Sequence, residues 1–509
     1  MRRTQLSAAG SVLFLAAVGS LSQLASFCYR VALSRSVGAE VMGLYQLIIP
    51  VYSVLLSLTA VGGTCAVSNL TPQYLALNNS KGVRQTLRLA LIFFFCSLIP
   101  VGAAVIFFSD PISVYFLGDA RTQLGLMLLV PCVALTGVEN IHKHFFYGAG
   151  LVRPPAIADL VEQLVRAGAV LGLLIVLAPA YPEKAAGTIV LGMILCEISS
   201  ALTLTILYQR KIRAMGVSGP GERGPILCRR LASIAVPTAF TALLGNLMGA
   251  ANASLLPRLL VQRGLTQSEA VAQFGVICGM TLPMLSLPTV LLGALNLVLI
   301  PKLSRSIALN RPKDVHRQIH RALQIISVTM LPAMGILSVI GGDLGPLLFS
   351  QNDVGAYLLP LALATALSCY HSTLSASLNG IGKQFYSAMV SILCNAGQLA
   401  ATMFLVPSMG MSGFVVGTVI ASLCGALLCG WLLVRFTGLE VRLFQWVTAP
   451  GLATLLMALT GNLLYHYLKD AGVSLSSAIF IYSVFSVVFY LTLLQAQGLQ
   501  AREIFRFRA

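Results

Sequence analysis

Charge is what this chain has little of. Only 10% of its 509 residues are Asp, Glu, Lys or Arg, against 57% hydrophobic, whereas soluble domains carry about 25% charged residues. A water-soluble enzyme is excluded, and a mean hydropathy of +0.86 makes the bilayer the natural solvent. Acids are the scarcer sign, 16 against 33 Lys and Arg, and none precedes Glu40. The eleven cysteines are scattered without a C-x-x-C, which removes a zinc site or disulfide framework and leaves them as small apolar fillers. No G-x-x-x-x-G-K-[ST] is present; Gly380-Ile381-Gly382-Lys383 is followed by Gln384 and lacks the upstream spacing. With no nucleophile and base constellation either, neither an enzyme nor an intrinsic ATPase is expected. No cofactor is implied, and a membrane potential or an ion gradient is left as the energy source. Nucleic acid is not an expected partner, because the net charge of +17 is spread along loops without a recognition module.

What the chain has instead is long apolar stretches. Fourteen of about 20 residues can be placed between 8–28 and 475–496, each long enough for a hydrocarbon core of about 30 Å. The apolar run after Met1-Arg2-Arg3 reads as an uncleaved first span. With the N-terminus inside, 26 of the 33 Lys and Arg fall on the cytoplasmic side, including Lys81/Arg84/Arg88, the stretch 210–230, the stretch 302–321 and Arg502/Arg506/Arg508. That bias sets both termini in the cytoplasm and puts basic loops against anionic membrane lipids.

The chain also repeats itself. Arg258 and Arg263 follow Arg30 and Arg35 by 228 residues, and Pro72, Pro100 and Pro131 answer to Pro301, Pro332 and Pro360. Gly148-Ala149-Gly150 answers to Gly380-Ile381-Gly382. Six spans return the chain to the cytoplasm, so the two repeats run parallel, as transporter halves do. The expected fold is an all-α polytopic membrane protein of about 14 transmembrane helices, with a central cleft between two parallel six-helix lobes. Its expected divisions are an N-lobe at 1–208, a basic cytoplasmic linker at 209–230, a C-lobe at 231–434, and an additional helix pair with a basic tail at 435–509.

Four short motifs, Val41-Met42-Gly43-Leu44-Tyr45, Asp159-Leu160-Val161-Glu162-Gln163-Leu164-Val165-Arg166, Leu244-Gly245-Asn246 and Gln273-Phe274-Gly275, occur in this order. Together they resemble the stage V sporulation protein B family, in the polysaccharide-transporter branch of the multidrug/oligosaccharidyl-lipid/polysaccharide flippase superfamily. The resemblance covers essentially the whole chain. It implies a bacterial cell-membrane flippase for a polyprenyl-pyrophosphate-linked glycan, in cell-wall or spore-cortex synthesis, acting as a monomer associated with cell-wall synthesis proteins. The runner-up is an ion-coupled multidrug or cation antiporter of the same fold. Many such exporters use an acid in the first helix, and this chain has only cations before Glu40.

Charges within spans mark the candidate site, since a charge there must face protein or water. Arg30, Arg35, Arg258 and Arg263 form two repeat-related pairs at the ends of spans 1 and 7, expected to face the cleft as a cationic ring whose guanidinium groups suit a phosphate; interfacial anchors snorkelling to headgroups are the alternative. Asp159, Glu162 and Arg166 share one face of span 5. Arg166 is the candidate phosphate ligand with Glu162 holding it; a local ion pair is the alternative. Glu139, Asp159 and Glu197 are candidates for a coupling ion. His142, Lys143 and His144 lie at the cytoplasmic end of span 4 and are expected to meet lipid headgroups, an inward-facing cavity being the alternative, and His316 and His320 to lie on a solvated or lipid-facing helix surface.

Overall fold

The computed structural model of the protein describes residues 8–177 and 182–498, and every regular element among them is helical. The Met1-Arg2-Arg3 start, residues 178–181 of an expected outer loop and the Arg502/Arg506/Arg508 tail lie outside the described residues. The helices of eight residues or more are α1 (Ala8–Thr59), α2 (Val61–Ala76), α3 (Ser80–Phe107), α4 (Gln123–Gly148), α5 (Arg153–Leu177), α6 (Ala185–Ala214), α7 (Gly224–Gln262) and α8 (Gln267–Phe274). They continue as α9 (Val290–Ala308), α10 (Pro312–Leu344), α11 (Leu358–Gly380), α12 (Gln384–Met409), α13 (Met411–Thr437), α14 (Ala449–Asp470) and α15 (Leu475–Ala496).

Twelve helical stretches among the described residues are long and apolar enough to cross a membrane. Among the described residues the fourteen expected stretches fall on helix almost throughout, but two do not stand as separate spans by length and composition. α1 carries the first and much of the second in one element bent at Gly38, whose φ of 75° and ψ of 178° admit only glycine. α11 is diluted by Ser368, His371, Ser372, Thr373, Ser375 and Ser377.

The backbone repeats itself at two turns. The turn between α2 and α3 pivots on Asn78 and that between α9 and α10 on Asn310, both at φ 51°. In each turn the next residue donates back five positions, Asn79 N–H to the Tyr74 carbonyl (2.9 Å) and Arg311 N–H to the Ser306 carbonyl (3.0 Å). α4 and α11 both end at a left-handed glycine, Gly150 (φ 70°) and Gly382 (φ 79°), closed by Leu151 N–H to Phe146 and Lys383 N–H to Leu378, each 2.8 Å. A Cβ on Gly148 would lie 2.9 Å from the Thr71 Cβ and 3.3 Å from the Pro72 Cδ; one on Gly380 would lie 2.9 Å from the Leu303 Cβ and 3.2 Å from the Ile300 carbonyl. The same small residue therefore admits a close helix approach in each half, against Ser68 and Thr71 in one and Ile300 and Leu303 in the other, 232 residues on; Pro72 and Pro301, 229 apart, do not share a place in it.

Packing divides the chain at a different place from the repeat, into compact units Met1–Gly279 and Met280–Ala509. The first unit takes α7 and α8 because they pack on α1. A Cβ on Gly43 would stand 2.0 Å from the Val271 carbonyl oxygen, and one on Gly275 2.1 Å from that of Ala39. In the second unit Leu303, Ile319, Leu323, Leu378 and Leu433 form the main core. α14 and α15 join it through Tyr465 and Tyr482 against Ile340 of α10. The Tyr465 hydroxyl donates to Asp343 (2.8 Å), which also pairs with Lys469 (2.8 Å).

Candidate functional site

Helices α4, α5 and α6 of the first unit bring six ionisable side chains together. Their spacing explains the local part: Glu139 and Lys143 stand one turn apart on α4, and Asp159, Glu162 and Arg166 share a face of α5. α6 supplies Cys196 and Glu197. Lys143 Nζ lies 2.6 Å from Glu139 Oε1, 2.6 Å from Asp159 Oδ1 and 3.8 Å from Glu162 Oε2. The Arg166 guanidinium bonds Glu162, approaches Glu197 Oε1 at 3.6 Å and donates from Nε to the Cys196 sulfur at 3.4 Å. Glu139 and Glu197 are 1% and 2% exposed. Burying such charges costs several kcal/mol per ion by general magnitudes, a cost met only where partners stand on several sides.

The cluster holds four carboxylates and two cations, so its fully ionised form carries two negative charges in excess. Glu197 Oε2 is buried without a hydrogen-bond donor, and the Glu139 carboxyl adjoins Glu197. Oxygens from Glu139, Asp159 and Glu162 lie within 4.8 Å of one another. Such an arrangement can accept a proton or a hard cation, for which carboxylate oxygens are the fitting ligands. Next to it, a cavity of about 360 Å³ is lined by Thr64, Ser68, Asn69, Asn140 and His144, one helical face away from Glu139 and Lys143.

The structure thus joins Arg166 and Glu162 to Asp159, Glu139 and Glu197 in a single network. Arg30 is half-buried on α1, the helix that carries the buried Tyr45. Arg258 is directed instead to the Tyr115 carbonyl, at the turn closed by Gly118. Arg35 and Arg263 are exposed. Glu40 pairs with Arg121 (2.7 Å), whose fork also grips Asp119 at 2.7 Å and 3.0 Å.

Two expectations need correction. Lys143 does not reach for headgroups: three carboxylates draw it inward until 15% of its side chain is exposed. His142 is buried on the Val138 carbonyl (2.7 Å). Nor do His316 and His320 cover an open helix surface. His316 Nε2 meets the Thr437 carbonyl at 2.8 Å, and the His320 ring lies 5.0 Å from Trp446. The sequence signal for Lys143 was its four-residue spacing from Glu139. Nothing in the sequence pointed to Cys196 as a neighbour of Arg166.

The family motifs acquire positions as well. Gly43 of Val41–Tyr45 meets the segment just before Gln273-Phe274-Gly275 at the α1–α8 contact. Asn246 of Leu244-Gly245-Asn246 donates to Ser57 Oγ at 2.6 Å, tying α7 to α1.

A multi-pass helical bundle with an internal parallel repeat and a buried charge network defines a membrane transporter fold. Solved structures agree: Lipid II flippase MurJ in an inward closed conformation matches with TM-score 0.69 at 14% identity, covering 97% of this chain and 100% of that one. An inward-facing multidrug resistance MATE family transporter of the MOP superfamily matches with TM-score 0.66 at 14% identity, covering 83% and 100%. The chain belongs to the family described as polysaccharide biosynthesis protein, whose model matches residues 8–307. It is 23% identical over 425 residues to Stage V sporulation protein B of Bacillus subtilis (strain 168), covering 81% of this chain and 82% of that protein. It is 20% identical over 481 residues to Lipid II flippase MurJ of the same organism, covering 84% and 86%. The resemblance carried by the four motifs holds.

Proposed function

We propose that the protein moves a pyrophosphate-linked glycan lipid from the inner to the outer leaflet of a bacterial cell membrane by alternating access, for cell-wall or spore-cortex synthesis. The observation that carries this reading is the disposition of charge in the first unit. No acid precedes Glu40, and Glu40 is itself paired with Arg121, so the first part of α1 is cationic in character, as suits an anionic substrate. Arg30, half-buried on α1, and Arg166 of the charge network are the basic groups proposed to meet the phosphates. The names of its relatives, a sporulation protein and a lipid II flippase, support the same substrate class.

In this cycle the headgroup enters from the cytoplasmic leaflet with its lipid tail still in the bilayer, basic side chains replace its water, and the lobes rock. A pyrophosphate carries about two negative charges, each worth about 2.3 kcal/mol per 100 mV, so an inside-negative potential favours outward movement. The Glu139–Glu197 end of the cluster is the proposed place for a coupling proton or cation.

The excess of carboxylates in that cluster favours one second reading, an ion-coupled multidrug or cation antiporter. Depletion in a strain lacking paralogues separates the two. A flippase leaves undecaprenyl-linked precursor trapped in the inner leaflet with drug resistance unchanged. Normal precursor exposure with heightened sensitivity to cationic drugs refutes the flippase reading.

A further inference from the structure

The two repeats differ at one place where their backbones agree. In the first unit, the chain after α6 lies over the α2–α3 turn: Ser218 Oγ donates to the Asn78 carbonyl (2.7 Å), and Arg84 donates to the carbonyls of Ile212 and Gly216 (2.9 Å each). It then delivers a carboxylate. Glu222 accepts from the Tyr74 hydroxyl and pairs with Arg230 at 3.1 Å. Its own N–H donates to Gln85 Oε1 at 2.8 Å, while Arg230 also donates to Gln73 Oε1 at 2.8 Å.

Asn78 and Asn310 fix the register at 232 residues, so Gln73, Tyr74 and Gln85 correspond to Arg305, Ser306 and Arg317. There the chain after α13 takes another course. It meets α10 through His316 and Thr437, then runs along α10 to Gln324, which bonds Gln445 at 3.4 Å. The equivalent groove, between α9 and α10, remains a cavity of about 510 Å³.

Its lining is graded. On α9, Leu295, Val298 and Leu299 give way toward the turn to Lys302 and Arg305; on α10, Ile325 and Ala322 give way to Arg321 and Arg317. Spacings of three and four put each series on one helical face. Five cations line the basic end, with Asp314 as the one acid, 4.0 Å from Arg311. The volume is that of a small-molecule site, and the basic mouth lies in one of the segments that set the expected cytoplasmic face.

We propose that this groove binds the phosphate of a lipid, in the place that the Glu222 carboxylate holds in the first unit. Arg305 and Arg317 grip the phosphate oxygens through paired N–H donors, and the start of the hydrocarbon chain lies against Leu295, Leu299 and Ile325. A carboxylate supplied by the chain in one half is replaced by a lipid anion in the other. The site shares no residue with the α4–α6 cluster, and its occupancy does not depend on what the protein transports.

Native mass spectrometry of the purified full chain, with phosphatidylglycerol, undecaprenyl phosphate and phosphatidylcholine as probes and inorganic phosphate as competitor, tests this. The variant R305Q/R317Q installs the residues that the first unit carries at Gln73 and Gln85, at two exposed positions. It is expected to weaken binding of an anionic lipid by about tenfold, the scale of one charged hydrogen bond, while R305K/R317K keeps most of it. Binding of undecaprenyl phosphate without phosphatidylglycerol assigns the site to the polyprenyl class, and binding of both assigns it to membrane phospholipid; either supports the proposal. Unchanged lipid binding by R305Q/R317Q, equal binding of phosphatidylcholine, or free phosphate binding as tightly as the lipids overturns it. Should the double variant fail to fold, Arg305→Gln and Arg317→Gln measured singly carry the same criteria.

Discussion

Replacing Arg166 with Gln is the sharpest perturbation of the α4–α6 network, because the residue stands between two buried acids. Its guanidinium bonds Glu162 and lies 3.6 Å from Glu197, and those side chains are 8% and 3% exposed. Removing one partner of a buried pair costs about 3–5 kcal/mol. Arg166 is 20% exposed, so some water reaches the site and the lower end, about 3 kcal/mol, is expected. The double variant E162Q/R166Q removes the closer pair as a unit, and the two changes are expected to couple by about 1–3 kcal/mol in the recovering direction. Thermal unfolding of the detergent-solubilised protein, followed by size exclusion, measures stability, and precursor flipping in vesicles measures function. Recovered folding without flipping supports a phosphate contact for Arg166, and recovered flipping means the arginine serves only its neighbouring acids. An R166Q protein as stable as the parent, or a double variant no more stable than R166Q, refutes the account of the cluster as mutually compensating charge.

Arg30→Ala is expected to lower flipping at least tenfold with insertion and melting near normal, and Arg30→Lys to restore it in part, because an ammonium lacks the bidentate fork; equal rescue by Lys in the vesicle assay removes the phosphate role. Glu197→Gln is expected to leave folding intact or improved, since one of four carboxylates is neutralised, and to abolish any dependence of flipping on a pH or cation gradient; an unchanged dependence in vesicles with imposed gradients counts against the cluster as coupling site. Gly43→Ala and Gly275→Ala are each expected to cost about 3 kcal/mol or more, the upper end of overpacking, because the added Cβ meets backbone at the α1–α8 crossing. Gly150→Ala, which meets no atom within 4 Å, should cost only about 1–2 kcal/mol for its left-handed backbone, so equal melting losses at Gly43 and Gly150 would contradict the close approach.

Periodicity along one helix and recurrence along the chain were enough to read the helices, the repeat and the shared face of Asp159, Glu162 and Arg166. They were enough also to pair Gly148 with Gly380, each of which stands close to the helix before it, Gly148 at Thr71 and Gly380 at Leu303. What they could not give is which helices adjoin. Lys143 belongs to the site because α5 presents Asp159 to it across a helix interface, and Cys196 because α6 passes behind Arg166. A spacing rule is blind to both, since i and i+4 relate residues on a single helix. The expectation for Lys143 failed for the same reason: the preference of a lysine near a helix end is to snorkel, and only the neighbouring acids reverse it.

The repeat carries a further lesson about how far sequence symmetry reaches. Asn78 and Asn310 impose the same turn, so the positions around them are equivalent in space. Their side chains have nevertheless diverged from Gln73, Tyr74 and Gln85 to Arg305, Ser306 and Arg317. The divergence follows the course of the chain. Where Glu222 reaches the groove, neutral donors and a single Arg230 suffice; where the chain after α13 stays against the other face of α10, the groove is left basic and open. A cationic lining held open against its own repulsion is costly unless an anion or water screens it. The two turns are therefore alike in backbone and different in what the chain brings to them, and each basic position must be interpreted by its own unit.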